Sequence, residues 1–158
     1  LENDIRASIA GQVLSMVYLK KIREDAGAAY TCGAQATASI EDDYHLIQML
    51  GYCPMKPEKK ELALSIMEGA VKDMTQTVDA DMLAKIKAVM LKQADDVAKT
   101  NGYWNGVIGM YRKYGIDTHS DYKKLVSAQT PQTISDFMKE FLKSNNYITV
   151  TMLPDESK

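Results

Sequence analysis

The segment VLSMVYLKKIREDAGAAYTCGAQ, residues 13–35, decides how the rest of the chain is read. It reads as the end of an amphipathic helix, a glycine stop and then a strand. Val13, Met16, Val17 and the run Leu19 to Ile22 supply apolar residues at three- and four-residue steps, as one buried helix face requires. Lys20, Lys21 and Arg23 fall in the last turns, where positive charge meets the negative end of the helix dipole. Gly27 suits a left-handed C-terminal cap. The stretch that follows, AAYTCGAQATAS, is small and partly β-favouring and carries no helical stripe. Arg23 and Tyr30, seven residues apart, are thereby set near one helix–strand junction.

Working outward, residues 2–25 are expected to form the first helix, with Ile5, Ile9, Val13 and Met16 or Val17 on one side. Gly11 inside it costs roughly 1 kcal/mol relative to Ala; a close neighbouring backbone would justify it. Residues 28–39 read as a first strand, in which Ala34, Ala36 and Ala38 alternate with Gln35, Thr37 and Ser39. Ile40 to Asp43 is an acidic turn. Tyr44 to Cys53 reads as a second strand, and the nearly continuous apolar run Leu46 to Leu50 suggests burial on both faces.

Pro54 and Pro57 end that strand. Glu58 to Val78 has the helical stripe Ala63, Met67, Ala70, Val71, Met74 and Val78. Asp79 is a good N-cap for the next helix, with Val78 and Leu83 placed as a hydrophobic staple. That helix runs to about Lys99, with Leu83, Ile86, Met90 and Val97 inward, and Asn101-Gly102 breaks it. Tyr103 to Tyr114 is a short aromatic helix closed by Gly115. At helical spacing Trp104, Val107, Ile108 and Tyr111 read as core. A polar loop, Ile116 to Asp121, leads to one or two helical turns at Tyr122–Ala128. Thr130 caps and Pro131 starts a helix burying Ile134, Phe137, Met138 and Phe141 or Leu142. Tyr147 to Met152 alternates as a third strand, and Pro154-Asp155-Glu156 reads as a frayed, solvated tail.

Three strands and five or six helices make an α+β layer, with helices covering an antiparallel sheet. At 158 residues the chain is a single domain-sized segment, 1–158, able to bury a substantial core. Hydrophobic residues at 46% and charged residues at 25% are ordinary for a globular protein, and a net charge of −2 gives no electrostatic case for nucleic acid. No apolar run approaches the ~18 residues of a membrane helix, and no signal peptide is visible. The chain opens LENDIR inside a helical pattern, which suggests a piece of a longer protein.

Chemistry-bearing clusters are sparse. His45 is followed by Leu46, Ile47, Gln48 and Met49, and His119 lies in THSD with no second histidine in reach. His45 reads as a strand histidine with a hydrogen-bonded partner, and His119 as a surface loop residue. No GxSxG elbow or Gly-rich phosphate loop is present. Glu41-Asp42-Asp43 and Asp95-Asp96 read as solvated turn and helix-surface charge. With a hairpin turning near Ile40–Asp42, Cys32 would stand opposite residue 49 or 50. Cys53 would then be displaced by three or four residues, up to roughly 13 Å, beyond the ~7 Å a disulfide tolerates. Two free thiols are expected.

The nine residues REDAGAAYT, 23–31, resemble the L-R-E-x-x-G-x-x-Y segment of the pitrilysin/insulinase family of zinc metallopeptidases. Arg23, Glu24, Gly27 and Tyr30 fall at the matching offsets, with Ile22 where the family has Leu. The order of helices and strands that follows is also the family's, over nearly the whole chain. The resemblance implies a C-terminal, non-catalytic portion of such an enzyme, without the further strands that precede the first helix in the family. An exposed sheet edge, or completion by another chain or an upstream segment, would follow, as would possible self-association. Family peptidases bind zinc through an inverted H-x-x-E-H and a downstream Glu; no such motif occurs here. No metal or catalytic residue is therefore expected in this chain, with Zn²⁺ held in the other half of the parent. That zinc-bearing half, or a partner subunit, and a peptide substrate are the implied partners. Arg23 and Tyr30 would hydrogen-bond the substrate backbone near the scissile carbonyl, where a guanidinium and a phenol can stabilise an oxyanion. The bland alternative is that Arg23 caps the helix and Tyr30 packs at the sheet rim. An inactive homologue subunit, or a scaffold or binding module, are the other readings of the whole.

Overall fold

The computed structural model describes residues 1–41 and 44–153. The expected turn residues Asp42 and Asp43 and the expected tail Pro154–Glu156 lie outside them. The described elements are α1 (Glu2–Tyr18), a π-helical turn (Leu19–Asp25), β1 (Gly33–Glu41), β2 (Tyr44–Tyr52), a 3₁₀ turn (Pro57–Lys59), α2 (Lys60–Asp73), α3 (Ala80–Val97), α4 (Asn101–Tyr114), α5 (Tyr122–Ala128) and α6 (Pro131–Lys143). The architecture is α+β: six α-helices with a two-stranded antiparallel sheet.

The hub is α1. It touches β1, β2, α2, α3, α5 and α6, and Ile5, Ile9, Val13, Leu14 and Tyr18 are all buried. Its fit against the sheet depends on Gly11. A Cβ at that position would stand 2.8 Å from the Ala36 backbone nitrogen and 3.0 Å from the Gln35 carbonyl carbon. The close neighbouring backbone that the glycine suggested is therefore β1. Around α1, Ala63, Ala70 and Met74 of the α2 region, Leu83, Ile86 and Met90 of α3, Val126 of α5, and Ile134 and Met138 of α6 complete one core. Val97, expected inward, is exposed.

The helix boundaries follow local chemistry. The Asp79 side chain accepts the Met82 N–H at 2.8 Å, and Val78 and Leu83 beside it are both buried. Thr130 and Thr133 form a reciprocal capping box with Pro131 in the first turn of α6. Gly115 closes α4 at φ 69°. A buried polar group ties the far end of the bundle together: Gln129 accepts from Arg6 Nε at 3.2 Å and from Thr133 Oγ1 at 3.0 Å, while its own amide donates to the Leu125 carbonyl at 2.9 Å.

The strands depart furthest from expectation. β1 begins at Gly33 rather than at residue 28, since residues 28–32 are the irregular exit from the π-helical turn. β2 is not buried on both faces: Ile47 and Met49 are half-buried toward α1, whereas Leu46 and Leu50 are exposed on the outer face. The register runs from Glu41↔Tyr44 to Gly33↔Tyr52. Tyr147 to Met152 forms no strand; it is extended chain with no ladder partner among the described residues, and Ile148 is 85% exposed. Alternation alone cannot make a strand where no neighbouring backbone accepts its hydrogen bonds.

Substituting Gly11→Ala tests the hub. The helix gains propensity, but the added methyl must push α1 away from β1. A net loss of about 1–3 kcal/mol is expected, read as a lower urea midpoint with an unchanged m-value; an equal or higher midpoint would show that the approach is not tight.

Candidate functional site

The site is built where α1 ends. After Tyr18 the helix widens into seven residues of π-helix, Leu19–Asp25, a form that recurs at functional positions. Ala26 N–H then bonds back to the Lys21 carbonyl at 3.2 Å and Ala28 N–H to the Ile22 carbonyl at 2.9 Å. Gly27 turns the chain at φ 54°, the left-handed conformation that favours glycine. Ile22 is fully buried and anchors the turn, and Ala28 is buried on the other side of it.

This turn brings Arg23 and Tyr30 together. The Arg23 Cζ atom lies 5.6 Å from the Tyr30 ring centroid, a cation–π contact. Both side chains face solvent, with Tyr30 83% exposed. Among the described residues no carboxylate pairs with Arg23. Its N–H donors and the Tyr30 hydroxyl are therefore available to one external acceptor. Arg23 lies in the last turn of the π-helical segment, and Tyr30 stands out in solvent rather than packing at the sheet rim.

Behind the pair lies a small buried group. Tyr18 donates to the Met67 carbonyl at 3.4 Å. Burial, with the nearby Cys32 thiol, pushes its phenol from 10.0 up to about 12. Cys32 is 5% exposed; burial raises its thiol pKa and the Arg23 charge draws it back down. The Cys53 thiol is raised by its own burial and by Cys32. Both cysteines are free thiols, but the reason first drawn from the sequence was wrong. The ladder pairs Gln35 with Leu50 and Ala36 with Met49 and ends at Gly33↔Tyr52, so that Cys32 and Cys53 are the residues flanking its last pair.

Tyr18 and Cys53 also line a groove of about 990 Å³ between β2, α2, α6 and the extended chain at 144–153. Met49, Met55, Met67, Val71 and Phe141 make it largely apolar.

Neither histidine takes part. His45 Nε2 lies 2.8 Å from Asp4 Oδ1, within ion-pair distance, but the expected hydrogen bond is not formed: Asp4 Oδ1 is buried without a hydrogen-bond partner among the described residues. His119 is not a free surface residue: its Nδ1 is 2.8 Å from the Tyr103 hydroxyl and its ring packs 4.7 Å from Trp104. Among the described residues no three His, Cys, Asp or Glu side chains converge. Asp95 pairs with Lys123 and Asp96 with Lys99, both on the surface. The aromatic helix corrects a further expectation. α4 buries no residue, and Ile108 and Tyr111 are 53% and 63% exposed, because no other element closes over that face.

The fold is like that of one portion of pitrilysin-like proteases. A mutant of the ferredoxin protease FusC in complex with Arabidopsis ferredoxin superposes at a TM-score of 0.67 with 18% identity, over 87% of this chain and 15% of that one. The periplasmic protease PqqL from Escherichia coli superposes at 0.68 with 15% identity, over 89% of this chain and 16% of that one. A conserved protein from Enterococcus faecalis superposes at 0.67 with 13% identity, over 87% of this chain and 32% of that one. The chain thus spans a minor part of the length of each. No protein-family model matches the sequence, and no curated protein matches it. No helix among the described residues is long and apolar enough to cross a membrane.

Tyr18 makes the packing behind the site sensitive to alkali. The unfolded phenol ionises near 10 while the folded one stays neutral to about 12. The stability it contributes is therefore complete below pH 10 and lost as pH rises through 12. In urea titrations across that range, Tyr18→Phe should lose less stability with rising pH than the native chain, by about 2–3 kcal/mol. Parallel losses in the two proteins would remove Tyr18 as the cause.

Proposed function

We propose that this chain is a non-catalytic C-terminal portion of a pitrilysin-like zinc metallopeptidase, forming one wall of the substrate chamber. The reading is carried by Arg23 and Tyr30, which meet on the surface of this fold with their donors unclaimed. A peptide carbonyl placed between them would receive hydrogen bonds from a fixed cation and from a phenol. Both strengthen as negative charge develops on that oxygen, which is how such donors lower a barrier. The exposed main chain of an extended substrate supplies that acceptor without regard to sequence.

Among the described residues there is no cluster of three His, Cys, Asp or Glu side chains to hold a water-activating metal. Zn²⁺ and the nucleophile would come from a zinc-bearing N-terminal half or a partner subunit. Its small share of the length of the matching proteases is consistent with such a division of labour. Alone, the chain should hydrolyse nothing.

The test is peptide hydrolysis by the chain joined to, or mixed with, its zinc-bearing half. Arg23→Ala and Tyr30→Phe should each lower kcat/KM on the order of 10²-fold. Because both side chains are exposed, the thermal midpoint of each variant should stay where it is. Undiminished hydrolysis in both variants would instead favour a scaffold or binding module that keeps the fold without the peptidase role.

A further inference from the structure

We infer that Cys32 and Cys53 form a cross-strand dithiol that a disulfide-carrying oxidant closes into a bridge, stapling the open end of the hairpin beneath Arg23 and Tyr30. The register carries the inference. Gly33↔Tyr52 is the last ladder pair of β1 and β2, and Cys32 and Cys53 are the residues that flank it, one just before β1 and the other just after β2. Residues directly opposed in an antiparallel pair have Cα atoms about 4.5–5.5 Å apart, inside the roughly 4.4–6.8 Å span of disulfides. Opposed side chains also share one face of the sheet. Here it is the face of Ala34 and Gly51, against which Tyr18 packs: a Cβ at Gly51 would stand 3.2 Å from the Tyr18 ring. The two thiols therefore point into the same small space. The upward push of Cys32 on the Cys53 thiol is consistent with that proximity.

Access is unequal, and that orders the steps. Cys53 is half-buried and lines the wall of the groove, whereas Cys32 is almost fully enclosed. A small disulfide such as oxidised glutathione reaches Cys53 first. The Cys53 thiolate attacks one of its sulfurs, forming a mixed disulfide and releasing one glutathione thiolate. The Cys32 thiolate then attacks Cys53 Sγ and expels the second. One S–S bond is broken and one formed. The protein loses two electrons and two protons, and the oxidant leaves as two thiols. The Arg23 charge favours the Cys32 thiolate needed for the second step. The bridge fixes the segment immediately after Tyr30, whatever that tyrosine binds.

The experiment uses the whole chain. It is equilibrated across ratios of oxidised to reduced glutathione, acid-quenched, unfolded and alkylated, then weighed intact and mapped by peptide mass. The expected product is a monomer lighter by two hydrogen atoms, taking up no alkylating reagent. A peptide containing Cys32 should be joined to one containing Cys53, and the thermal midpoint should rise by roughly 5–10 °C. Cys32→Ser should stop at a stable mixed disulfide on Cys53. Cys53→Ser, which alters the less buried partner, should resist oxidation and show no rise in midpoint. Three results would overturn the inference. They are two alkylatable thiols persisting where Cys32→Ser is glutathionylated, a bridge found only between chains, and glutathione retained on native Cys53.

Discussion

The approach of α1 to β1 is the constraint on which the other elements depend. At Gly11 the helix lies so close to the strand that a single methyl would meet the Ala36 nitrogen at 2.8 Å. That closeness lets a small two-stranded sheet share one core with α1, α2, α3, α5 and α6. The alanines of β1 leave the sheet surface shallow, and α1 uses the space to bury Ile9, Val13 and Tyr18 on its other sides. A larger residue at position 11 would lift the helix off the strand. It would also change how α2, α3, α5 and α6 meet around it.

The exit from α1 converts packing into a site. An α-helix carried on to Asp25 would hold Arg23 on a helical face and deliver the chain in another direction. The π-helical turn and the left-handed Gly27 let the backbone double back, with Ile22 and Ala28 buried as anchors. Two long side chains then stand free above a well-packed base. Such an arrangement limits the entropy lost when they engage an acceptor, because the backbone beneath them is already fixed.

Several large apolar side chains remain uncovered, on α4, on the outer face of the hairpin and along Tyr147–Met152. Their patterns are those of buried elements. The helical stripe of Trp104, Val107, Ile108 and Tyr111 and the alternation of Ile148, Val150 and Met152 are real features of the sequence, yet all of these but Val107 remain exposed. Periodicity states which face of an element is apolar. It does not state whether anything is there to cover it.

Much of the fold and half of the site's logic were legible in the residues. The order and type of the helices, the caps at Asp79 and Thr130, the left-handed stops at Gly27 and Gly115, and the proximity of Arg23 to Tyr30 all follow from local stereochemistry and short-range hydrogen bonding, which a few neighbouring residues decide. Strand register, the single-sided burial of β2, the exposure of α4, the partner of His119 and the opposition of Cys32 to Cys53 do not. Each depends on a second segment far along the chain. A shift of one residue in the hairpin would turn every side chain to the other face without changing any local preference. Only the tertiary structure chooses among such shifts, through the fit of α1 at Gly11, and that choice brings the two thiols beneath the arginine and the tyrosine.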